Sequence, residues 1–217
     1  MTRYSSLVIE LENAINSYNP AFINKFDPGL SLKKIEGLLA RWKVEGDVEP
    51  IVALYSWRNG MPMESFPLSL DGSRFEVCQP RFFPQDPFYW QGLRAMCADF
   101  HGLGEAAVSF PNMQQYVGRY FPIFWGGRAG WFAVDLDVSG NNRIIYLHWD
   151  DVNPEPFELY PTFEVLLVDL IDSFQENRSL QCFPIGREIP VNELDMIFNA
   201  KARSITAERE NEKKTQL

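Results

Sequence analysis

Two histidines and a scatter of carboxylates are the side chains from which chemistry could be built in this chain. His101 and His148 lie far apart, and neither falls in an HExxH, GxSxG or GxxxxGKS pattern, the spacings that set up a zinc, a serine nucleophile or a phosphate loop. A hydrolase would need a cleft joining His148 to Asp150 or Asp151. An enzyme requires a nucleophile, base or metal set held in mutual reach, and these spacings provide none, so the chain reads as a non-enzyme with no cofactor and no metal. Asp135, Asp137, Asp150 and Asp151 could still converge at one end of a sheet. There they would make a hard-cation site, an acidic surface for a basic partner, or a solvated rim; the calcium-loop pattern is missing. The glycine-rich run at 126–130 joins two apparent strands instead of opening a helix. It therefore lacks the geometry that cradles phosphate and reads as a hairpin, with Arg128 at its tip a candidate interface anchor. Cys78, Cys97 and Cys182 are odd in number and lack metal spacing, as expected of reduced structural thiols.

The elements that must position these groups follow from periodicity. Leu7, Val8, Leu11 and Ile15 recur at helical intervals and predict an N-terminal helix over 5–17. Ser31 can cap a helix whose apolar stripe is Leu32, Ile35, Leu38, Leu39 and Trp42. A short helix then starts at Pro50 and stops at Gly60, leaving an exposed corner of Arg58, Asn59 and Gly60, with Arg58 and Asn59 as candidate contacts. Two strands are expected over 66–70 and 74–83, at edges or bulges because Pro67 and Pro80 cannot donate to a ladder. A helix containing Trp90, Leu93, Met96 and Cys97 comes next, and a short one follows near 111–120. Three runs, 120–126, 130–137 and 143–149, read as an antiparallel meander. In the middle strand Trp131, Ala133, Asp135 and Asp137 alternate with Phe132, Val134 and Leu136. The second set is expected to pack, and Trp131, Asp135 and Asp137 to share a mixed aromatic and acidic outer face. A helix from Thr162 with Phe163, Leu166, Leu167, Leu170, Ile171 and Phe174 inward should close over the sheet, another is expected over 190–203, and the polar stretch 204–217 should remain disordered.

The chain has 217 residues, a formal charge of -9 and 46% hydrophobic residues. That suffices for one core, expected as a single domain over 1–203, and it disfavours direct binding of nucleic acid, whose phosphates would be repelled. No apolar run reaches the roughly 20 residues that cross a bilayer, and the N-terminus lacks the apolar stretch of a signal peptide. A cytoplasmic location with no membrane partner is expected.

The order of these pieces resembles the SUKH superfamily, which includes the Smi/Knr fungal cell-wall regulators and many bacterial immunity proteins. The resemblance spans about 30–177. It lies in LSLKKIEGLLARW leading into VEPIVALYSWRNG, in YFPIFWGGRAGWFAVDLD, and in RIIYLHWDD followed by TFEVLLVDLIDSF. It implies an α+β domain with an antiparallel sheet of four to six strands, flanked by helices, here with extra N- and C-terminal helices. It also implies a protein partner: in bacteria a toxin domain, here a basic one given the acidic charge, and in fungi the machinery of cell-wall synthesis and signalling. The two expectations are an immunity protein and a regulatory scaffold.

Overall fold

The computed structural model describes residues 2–61, 64–67, 75–78, 89–109, 111–125, 131–138, 141–147, 157–177 and 180. All belong to one compact unit, Met1–Gln181. The expected helix at 190–203 and tail at 204–217 lie outside the described residues, as do Arg128, His148, Asp150 and Asp151.

The unit is a mixed α+β fold. Helix α1 (Ser5–Tyr18) buries Val8, Leu11, Ala14 and Ile15. Helix α2 (Leu32–Arg41) buries Ile35 and Leu39, with Ser31 at its N-cap position but making no side-chain capping bond. Helix α3 (Glu49–Trp57) has Pro50 in its first turn, where the missing N–H costs nothing. A two-stranded antiparallel hairpin pairs β1 (Glu64–Pro67) with β2 (Phe75–Cys78). Helix α4 (Leu93–Ser109) begins after Trp90, so Trp90 stands in the approach to the helix and not within it as the sequence suggested. A 3-10 turn at Pro111–Tyr116 leads into the main sheet.

That sheet runs β3 (Tyr120–Trp125), β4 (Trp131–Asp135), β5 (Ile144–Leu147) and β6 (Phe157–Tyr160), antiparallel in sequence order. Four strands fall within the expected four to six, but the place of the last one, Phe157–Tyr160, was not read from the sequence. Helix α5 (Phe163–Glu176) starts on Thr162, whose Oγ1 accepts the Val165 N–H at 3.2 Å, and stops on Asn177 in the left-handed region at φ 52°. α1 and α5 pack along their lengths and run parallel, with Tyr4 against Phe163 at one end and Tyr18 against Phe174 at the other.

Both faces of the sheet are covered, which corrects the expectation of one open face. On the Phe132 side, Trp57, Trp90, Phe124, Phe132 and Tyr146 touch ring to ring in sequence. On the other side, Leu103 and Ala107 of α4 cluster with Tyr116, Tyr120, Ala133, Ile145 and Leu147, and Trp131 packs against that cluster. A strand read as half-exposed by its alternation is in fact sandwiched, because α4, which ends close before β3 begins, lies over it.

Candidate functional site

Register brings the acidic residues of β4 to a defined end of the sheet. Tyr120 pairs with Asp135, and the Asp135 N–H donates to the Arg143 carbonyl at 2.9 Å. Arg119 and Arg143 therefore flank Asp135 from the two neighbouring strands. Arg119 Nε reaches Asp135 Oδ1 at 3.0 Å and its Nη2 reaches Oδ2 at 2.9 Å, while Arg143 Nη2 reaches Oδ2 at 2.7 Å. The Asp137 N–H adds a bond to Oδ1 at 3.1 Å. Arg143 extends the chain to Glu158 on β6 at 3.2 Å.

Asp135 itself is 0% exposed. Burial alone would raise its pKa, but the hydrogen bonds from Arg119 and Arg143 outweigh that and hold it below the ordinary aspartate value. Both arginines are correspondingly held above theirs by their bonds to Asp135. A carboxylate that is ionised, sealed and saturated with donors neither abstracts a proton nor attacks a substrate. It fixes the ends of three strands. The Asp135 expected at a surface is thus an internal brace, while Asp137, two residues past the strand, is exposed, with Arg119 Nη2 at 3.7 Å from its carboxylate.

The loop between α2 and α3 abuts this end. Gly46 adopts φ 107°, and a Cβ there would lie 2.3 Å from the Leu136 carbonyl oxygen, so only glycine permits the approach. The Asp47 N–H donates to that carbonyl at 3.0 Å. Buried Asn142 ties the turn after β4 to the rest: its Nδ2 donates to the Asp47 carbonyl at 3.1 Å, and its Oδ1 accepts from Tyr4 and from the Arg3 guanidinium. Arg3 in turn pairs with Asp47 and Glu49. The outcome is an acidic rim of Glu45, Asp47, Glu49 and Asp137 on a cross-braced base, with Val138 beside it 78% exposed.

The other expected contacts are distributed differently. Trp131 does not join Asp137 on an outer face; it is half-buried against α4, and its indole N–H donates to Asp99 Oδ2 at 3.3 Å. Arg58 is engaged internally, its Nη2 2.8 Å from Glu12 of α1. Asn59 Oδ1 accepts the Leu93 N–H at 3.0 Å and so caps α4 from a distance in sequence. Gly60 at φ 76° completes that corner, where a Cβ would sit 2.5 Å from the Gln91 carbonyl carbon. The Arg58-Asn59-Gly60 corner is a structural joint between α1, α3 and α4. Arg119, Arg143, Glu158 and Asn142 were missed from sequence, although charges at strand ends that register sets opposite Asp135 are a usable signal. Among the described residues no group of His, Cys, Asp and Glu could hold a metal ion, and no helix is long and apolar enough to cross a membrane. No protein-family model matches the chain, and neither does any curated protein.

Proposed function

We propose that this chain is a protein-binding module of the immunity type, which captures a basic toxin domain through the acidic end of its sheet. The observation that carries the reading is the contrast between Asp135 and Asp137. The first is sealed and neutralised; the second stands exposed beside Val138, with Glu45, Asp47 and Glu49 close by. A braced base presenting partly exposed carboxylates next to an apolar contact suits capture of a cationic surface, where charge accelerates encounter and packing holds the complex. Net charge supports this. The segment Cys182–Leu217 carries equal numbers of basic and acidic residues, so the whole charge of -9 falls within Met1–Gln181. The resemblance of 30–177 to SUKH proteins supports it from an independent direction.

The test is co-expression with the reading frame that neighbours this gene. Rescue of growth from a toxic product, together with a complex that survives size-exclusion chromatography, is the expected result. A neighbouring product that is not toxic, with recovery of cell-wall or signalling proteins instead, would replace the immunity reading with that of a regulatory scaffold.

A further inference from the structure

The fold sorts the cations of this acidic chain. Arg3, Arg58, Arg119 and Arg143 are committed to carboxylates, and Lys25 lies over the Phe22 ring. The remaining cations of the described residues, Lys33, Lys34, Arg41, Lys43 and Arg94, are all exposed and make no ion pair among the described residues. Each belongs to α2, to the turn that follows it, or to the first turn of α4.

These two helices lie side by side. The chain entering α2 and the start of α4 are tied to one corner, since the Leu30 N–H donates to the Tyr55 carbonyl, the Asn59 N–H to the Asp27 carbonyl, and the Leu93 N–H to Asn59 Oδ1. From there they run the same way, and Trp42 at the end of α2 meets His101, about two turns into α4, at 5.4 Å between rings. Helical spacing sets Lys34, Leu38, Arg41 and Trp42 on one side of α2, and Arg94 and His101 on one side of α4. Leu38 and Trp42 are half-buried in the groove between the two helices, and Lys34, Arg41 and Arg94 are exposed beside them, as is His101, whose Nε2 lies 3.8 Å from Glu105. Gly37 is exposed within α2, and a Cβ there would meet nothing within 4 Å. Internal packing gives no reason for a residue that weakens a helix interior, whereas a partner backbone could approach closely there.

We propose that the α2/α4 face binds an acidic segment of a protein partner, with an apolar side chain seated on Leu38 and Trp42 and carboxylates facing Lys34, Arg41 and Arg94. Charge selects the occupant. The compact unit is strongly acidic even with these cations counted, so an extended polyanion such as a nucleic acid would run off the groove onto like charge, while a short acidic segment stays within it. This surface is independent of the toxin reading, whose partner is basic and meets other residues.

The test uses the full chain and a fluorescein-labelled peptide of Glu-Glu-Leu repeats, titrated by anisotropy at low and high salt. Arg41→Glu and Lys25→Glu change the net charge equally, but only the first lies in the groove. Arg41→Glu is expected to weaken binding about tenfold and Lys25→Glu by less than about twofold, with amide shifts on binding confined to α2 and the first half of α4. Equal losses in the two variants, tighter binding of oligothymidylate than of the peptide, or no saturable binding by the unaltered chain would overturn the proposal.

Discussion

Arg143 and Asp135 face each other across the β4–β5 ladder and are joined twice, through the Asp135 N–H to the Arg143 carbonyl at 2.9 Å and through Arg143 Nη2 to Asp135 Oδ2 at 2.7 Å. With Arg119 on the other flank, the carboxylate holds the ends of β3, β4 and β5. Asp135→Asn keeps the shape and removes the charge. It is expected to cost about 2–4 kcal/mol, less than for a fully buried pair because both guanidiniums reach solvent. Urea denaturation at neutral pH measures it.

The same carboxylate gives the protein a pH signature. Its folded-state pKa is lowered, so its contribution is complete above the ordinary aspartate value of about 3.9 and is lost as pH falls through the lower folded value. Denaturation midpoints followed from neutral to acid pH should fall in that range for the unaltered chain, and should fall less steeply for Asp135→Asn.

Asp99 behaves in the opposite sense. Burial raises its pKa, against the hydrogen bond from the Trp131 indole, so its charge is unfavourable in the folded state at neutral pH. Asp99→Asn keeps an acceptor for the indole and removes the charge. It is expected to leave stability unchanged or raised at neutral pH, with the advantage vanishing as pH falls and Asp99 takes up a proton. A loss of stability at neutral pH would show that the indole bond needs the charge.

Two glycines and one asparagine separate structural joints from surface. Gly60→Ala sets a Cβ 2.5 Å from the Gln91 carbonyl carbon at a positive φ and is expected to cost more than about 2 kcal/mol, with strain and clash combined. Gly37→Ala meets open space and is expected to stabilise by about 0.5–1 kcal/mol. Asn59→Ala removes the cap on α4 and should cost about 1 kcal/mol. Thermal melts of the three variants check the order.

Much of this architecture was legible because its signals are local. The stripe in α5 and its start at Thr162, the meander, and the left-handed corner at Gly60 all follow from short-range rules. What escaped depended on packing between distant segments. Alternation in β4 marked Trp131 and Asp135 as outward-facing, but a parity rule tells which residues share a face and not whether a helix covers it; α4 covers this one. Strand β6 is a short Phe-Glu-Leu-Tyr run whose identity comes from its pairing with β5. The residues of the candidate site divided likewise. Asp137 is found at the surface, whereas Asp135, Arg58 and Asn59 were consumed by partners that register and the turn at Gly60 bring to them.

The measurement that bears most directly on the central claim is calorimetric titration of the toxin candidate encoded beside this gene with the unaltered chain and with Asp137→Lys, each at low and high salt. The account predicts binding that weakens steeply with salt and weakens about tenfold or more in Asp137→Lys at low salt, with an unchanged melting temperature. Binding that is indifferent both to salt and to Asp137→Lys would contradict it.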